Sequence, residues 1–327
     1  MPSPNSPSTQ ATTITSTTQS TYNTLITALH PLSPLVLELD ILPSTYPSHI
    51  HLSASSLALP KTLLIPLYLH ARQILFTHLS HPETGDRSNN NNHNKEVAWK
   101  ATTVILLWDP NHITAANIRK RWIRDLADKE NGTGLVGITE NGYGRGEVRA
   151  AVQQELRFLE SLLTSPLKKH TKAPTLWAQR GWVVGTFWDD VVALYKDEGE
   201  EAGILWAVKR FWDGELGVVM RAGERHPRNY YAWQYARVLF GLVQGNLIGE
   251  DVVEGLERVK GWCFLHPRDI SGWGFLMFLV HVVVEQGVNE EVRRVVRETR
   301  EWVRKYEWKG ESVEWFLKGV ESLRIER

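Results

Sequence analysis

The decapeptide Glu224-Arg225-His226-Pro227-Arg228-Asn229-Tyr230-Tyr231-Ala232-Trp233 constrains this chain more than any other stretch. Forty residues later, His266-Pro267-Arg268-Asp269-Ile270-Ser271-Gly272-Trp273 repeats its grammar: His-Pro-Arg, then Asn or Asp, then Trp six positions after the proline. Upstream, Asp109-Pro110-Asn111-His112 fits the same frame, with Ala116 at the Trp position. A motif recurring at this period marks stacked supersecondary units. Within one unit, Pro227 ends a helix because it lacks an N–H and drives its predecessor out of the α region. Asn229 or Asp269 then accepts from the exposed N–H groups opening the next helix. Trp233 and Trp273 follow on the inward face. The unit is a helical hairpin.

Taken in order, residues 1–18 are rich in Ser, Thr and Pro without charge, and read as a disordered tail. Residues 19–92 read as a helical leader followed by a loop. Within it, Leu25 to Leu42 lacks a regular pattern, Lys61 to Leu79 has helical spacing, and the run Asn89-Asn90-Asn91-Asn92 is a solvated loop. Residues 93–327 hold about five tandem hairpins. Their turns are Asp109-Pro110, Ser165 to Pro174, Pro227 and Pro267, with a weaker unit built on Val292, Val295, Val296, Trp302 and Trp315. Residues 129–146, with six glycines, are an insertion, and Asp197-Glu198-Gly199-Glu200-Glu201 is a linker. The expected fold is all-α, an α-α superhelix of hairpins. All fourteen tryptophans lie between Trp99 and Trp315, which confines the repeats to that part of the chain.

Composition removes several function classes. Thirty-seven basic residues balance thirty-seven acidic ones, so no global field favours nucleic acid or an anionic membrane. Cys263 is the only cysteine, which rules out a disulfide framework or a thiolate zinc cluster and fits a reducing, cytoplasmic setting. Gly142-Tyr143-Gly144-Arg145-Gly146 lacks the strand-and-helix setting of a phosphate loop, and there is no HExxH or GxSxG. No metal site and no catalytic apparatus of the chain's own are expected.

Three stretches resemble the protein prenyltransferase α-subunit repeat. Asn229-Tyr230-Tyr231-Ala232-Trp233 is similar to its Asn-Tyr-x-Ala-Trp signature. Leu176-Trp177-Ala178-Gln179-Arg180 resembles a second copy, with Arg three after Trp, and Pro110 through Asn117-Ile118-Arg119 a third. The resemblance covers roughly residues 95–285 and points to the divergent repeat-containing branch. It implies an α-type subunit that pairs with a zinc-bearing β subunit to transfer a farnesyl or, preferably, geranylgeranyl group to a C-terminal Cys of a protein acceptor. The chain itself would hold no cofactor and would be inactive alone. In the implied arrangement, Arg228 contacts the isoprenoid diphosphate and Tyr230 lines the acceptor side, while Pro110, Asn117, Arg119, Trp177, Arg180, Pro227, Asn229, Trp233, Pro267 and Trp273 carry the repeat. Ala236 and Leu276 replace signature arginines, and Ala116 a Trp. These losses suit the alternative, a non-enzymatic helical scaffold for protein–protein interaction.

Overall fold

The computed structural model describes residues 7–29, 36–80, 90–132, 146–196 and 203–323. The glycine insertion between 133 and 145, the acidic linker at 197–201 and most of the Asn-rich loop (81–89) lie outside the described residues. Two compact units divide the chain, Met1–Val183 and Val184–Arg327.

The first unit opens with α1 (Pro7–Leu29), followed by strands β1 (Glu38–Leu42), β2 (His51–Leu52) and β3 (Ser56–Pro60), and by α2 (Lys61–Ser80). Then come α3 (Asn90–Trp108), α4 (Ile113–Gly132), α5 (Gly146–Leu163), the single turn α6 (Lys168–Thr171) and α7 (Pro174–Thr186), whose last residues enter the second unit. That unit holds α8 (Trp188–Ala193), α9 (Ile204–Arg225), α10 (Tyr230–Val243), a 3-10 turn (Gln244–Asn246), α11 (Gly249–Leu265), α12 (Ile270–Glu285), α13 (Asn289–Lys305) and α14 (Glu311–Ser322). Five hairpins therefore run in order: α3–α4, α5–α7, α9–α10, α11–α12 and α13–α14. The all-α repeat architecture is the one read from the Pro–Trp grammar.

Two parts of the leader differ from the sequence reading. The tail expected to be disordered through residue 18 is helical from Pro7, because α1 is anchored downstream by buried Tyr22, Leu25, Ile26 and Leu29. The end of the irregular lead-in forms β1, which joins two later strands in a three-stranded sheet of order β1-β3-β2. β1 runs parallel to β3, pairing Leu39 with Leu57 and Ile41 with Leu59, and β2 is antiparallel to β3. Leu39, Leu57 and Leu59 are buried while Glu38, Asp40, Ser56 and Ala58 between and beside them are less so, the period-2 pattern of a half-buried strand. Ser161 on α5 ties the sheet down: its hydroxyl accepts from the N–H of Leu37 at 2.9 Å.

Two of the hairpins, α5–α7 and α11–α12, are held at their turns by the same device. Trp273 is fully buried, and its indole N–H donates to the carbonyl of Pro267 at 3.2 Å. Trp177 donates likewise to Thr171 O at 2.9 Å. In both cases the acceptor lies six residues before the ring. The ring fills the core while its one polar atom closes the turn that precedes its helix. Trp233, six residues after Pro227, departs from this: its Nε1 is buried with no hydrogen-bond partner among the described residues.

Candidate functional site

The turn between α9 and α10 carries the residues singled out by the repeat signature. Helix α9 stops at Arg225, and His226 leaves the helix with φ −141°. Pro227 and Arg228 are exposed, and Asn229 is buried as the N-cap of α10, its side chain accepting from the N–H of Ala232. Arg228 has φ +59°, one of two non-glycine residues in the left-handed region among those described; Glu307 is the other. That conformation costs a side-chain-bearing residue about 1 kcal/mol or more and persists where the surroundings enforce it. The enforcing group is Asp269. Its Oδ2 accepts from the Arg228 N–H at 2.6 Å, while its Oδ1 accepts from the N–H groups of Ser271 (2.9 Å) and Gly272 (3.2 Å). One buried carboxylate therefore caps α12 and fixes the preceding repeat's turn.

Tyr230 and Tyr231 open α10 with 60% and 42% of their surfaces exposed, their rings edge to face at 5.7 Å. Beneath them the wall is aromatic: Trp233 packs on Trp262 at 5.0 Å and on Phe275 at 5.3 Å. The site thus presents a cation and two phenols on a rigid base. Arg268, the corresponding cation of the next turn, lies over the Trp308 ring at 5.7 Å. Cys263 is fully buried and its thiol pKa is pushed well up, by burial first and by Asp269 second, so it is held as the neutral thiol. Among the described residues, no group of three or more His, Cys, Asp or Glu is placed to hold a metal ion. No described helix is long and apolar enough to cross a membrane.

The other signature residues serve the framework. Arg119 is fully buried. Its Nε and Nη2 donate to the Glu155 carboxylate at 2.6–3.0 Å, and its Nη1 donates to the hydroxyls of Thr102 (3.1 Å) and Thr103 (2.9 Å). Phe158 lies under the guanidinium at 4.5 Å. Gln179 adds a further donor to Glu155 at 3.1 Å, and Arg180 Nη1 donates to Leu156 O at 2.7 Å. The first two hairpins are thereby locked together by a buried polar cluster. Pro110 is buried, Pro267 is half-buried, and Asn117 is exposed. Where the signature arginines are missing, Ala236 and Leu276 are buried apolar residues, as is Ala116 at the missing Trp.

Sequence reading missed Glu155 and Glu215. Each carries a carboxylate on an otherwise apolar helix face: Glu155 falls three after Val152, and Glu215 four after Phe211. A charge on a buried stripe was the available signal. Glu215 Oε2 accepts from the buried Tyr235 hydroxyl at 2.6 Å.

Comparison with known proteins agrees with this architecture. The family profile described as the ECM9 middle domain matches residues 210–301, the stretch running from within α9 into α13. Protein prenyltransferase alpha subunit repeat-containing protein 1 of Danio rerio is 24% identical over 196 residues, 59% of this chain and 39% of that protein. Its Homo sapiens namesake is 25% identical over 197 residues, 60% of this chain and 42% of its own length. Geranylgeranyl transferase type-2 subunit alpha of Saccharomyces cerevisiae is 24% identical over 155 residues, covering 38% of this chain and 46% of that subunit. This chain accordingly spans about two fifths of the repeat-containing proteins it matches. Stacked Pro–Trp hairpins, capped Asn/Asp turns and these similarities together make the chain a divergent relative of the prenyltransferase α-subunit repeat-containing proteins.

Proposed function

We propose that this chain is the α-type subunit of a protein prenyltransferase, pairing with a β subunit to attach a geranylgeranyl or farnesyl group to a C-terminal Cys of a protein acceptor. The observation that carries the reading is the Arg228 turn. An exposed arginine is held in a strained left-handed conformation by a buried carboxylate from the next repeat, with Tyr230 beside it. Strain maintained at an exposed charge is characteristic of a functional position. In this role the Arg228 guanidinium offers a planar fork to the oxygens of an isoprenoid diphosphate and stabilises the charge that grows as diphosphate departs. Tyr230 lines the side on which the acceptor peptide lies. The zinc that activates the acceptor thiolate resides in the partner.

Co-expression with candidate β subunits tests the proposal. The expected result is a stable heterodimer that transfers labelled prenyl groups to a peptide ending in the acceptor Cys. Arg228→Ala is expected to lower turnover about tenfold or more while the heterodimer persists on size exclusion. Failure to copurify with any β subunit overturns the proposal. A stable heterodimer without transfer favours a second reading, a repeat scaffold, which the buried apolar replacements Ala236 and Leu276 support.

A further inference from the structure

Helix α13 sorts its charges onto two sides. Towards α11, every charge meets an opposite one: Arg294 pairs with Glu257 at 3.2 Å and with Glu291 at 2.7 Å, and Lys260 pairs with Glu257 and Glu298. Towards α14, the helix presents Arg293, Arg297, Arg300 and Arg304, spaced i, i+4, i+7 and i+11. This spacing places the four within roughly a 60° arc, over a length of about 16 Å. They line a cavity of about 560 Å³ between α13 and α14 whose floor is the buried Val292, Val296 and Val320. Arg293 pairs with the exposed Glu290 at 3.2 Å, and Arg300 reaches Glu321 of α14 at 3.1 Å. Arg297 and Arg304 are exposed and have no carboxylate partner among the described residues.

We propose that this groove is a docking site for an acidic, helical peptide segment of a partner protein. Its carboxylates would lie along the arginine row and its apolar side chains on the valine floor. Three observations select this occupant. The cations are strung along the groove instead of converging, so a lone phosphate or diphosphate would meet only part of the row. Their helical repeat matches carboxylates presented at the same spacing on a second helix. Glu290 and Glu321 flank the row, and the chain's net charge is zero, an unfavourable setting for a polyphosphate backbone or an anionic bilayer. The proposal is independent of prenyl transfer.

The test uses the full-length chain and a fluorescein-labelled peptide of about 14 residues, long enough for an amphipathic helix. It carries Glu at i, i+4, i+7 and i+11 and Leu on the adjoining face. Anisotropy titration is expected to show saturable binding that weakens as NaCl is raised. The double variants R297E/R304E and R297Q/R304Q are both expected to weaken it by about tenfold or more, with unchanged circular dichroism and thermal midpoint, since neither arginine has a carboxylate partner to lose among the described residues. Three results overturn the proposal. Affinity unchanged in both variants does so, as does equal binding of a peptide of the same composition with its Glu residues out of helical spacing. Tighter binding of pyrophosphate, or of phosphatidylserine-containing vesicles, through the same two arginines does so as well.

Discussion

Arg228 sets fold against function at a single residue. Glycine takes positive φ without the steric cost that an arginine bears. Arg228→Gly is therefore expected to leave the protein equally stable or up to about 1 kcal/mol more stable in urea unfolding, while abolishing the diphosphate contact proposed for it in a transferase heterodimer. Opposite signs in the two measurements would separate chemistry from scaffold. His170 makes a second prediction. Its Nε2–H donates to Leu107 O at 2.7 Å, and its Nδ1 is buried without a donor. Burial, chiefly, lowers its pKa to about 4 from 6.5. The folded state therefore takes up its proton later than the unfolded chain does. The stability this neutral ring contributes is complete above pH 6.5 and is lost progressively as pH falls towards 4, by up to about 3 kcal/mol. His170→Gln keeps a donor for Leu107 and does not titrate. It is expected to lose less stability than the wild type between pH 7 and pH 4.5 in denaturant titrations.

At the scale of elements, the hairpin joints should be brittle wherever a polar pair or an indole fills them. Arg119→Ala leaves Glu155 buried without its cation and is expected to cost about 3–5 kcal/mol in chemical denaturation. Gly272 begins α12 against the face of Trp262, and a Cβ added there would lie 2.4 Å from that ring. Gly272→Ala is expected to cost about 1–3 kcal/mol, because Trp262 is itself enclosed. The α9–α10 and α11–α12 hairpins were legible in the sequence because three signals coincide in both: a helix-period apolar face, a proline that ends one helix, and Asn or Asp that starts the next. The sheet was not, since β1 and β3 are five residues each and β2 only two. Alternation over so few positions cannot be told from a loop. Likewise the start of α1 has no apolar pattern, and downstream anchoring decides its state. The motif located Arg228 and Tyr230, but the bond from Asp269 joins residues 41 apart and depends on tertiary stacking that no local pattern encodes.

For the whole molecule, the informative experiments concern partners. The chain matches about two fifths of its repeat-containing relatives, and its balanced charge hides a local excess of arginine on α13. A heterodimer with a β subunit should survive Arg228→Ala and R297E/R304E alike if the two surfaces act separately. Pull-down with the purified β subunit, with and without the acidic peptide, checks that separation. The bond from Asp269 to Arg228 also gives assembly a direction. A ribosome delivers residue 228 well before residue 269, so the turn that aims the arginine cannot settle until the following hairpin has emerged. A fragment ending after α10 should make its helices yet leave that turn loose. The first hairpin of this pair is finished by the second, and a stop between them would cost the earlier turn its shape before it cost the helices theirs.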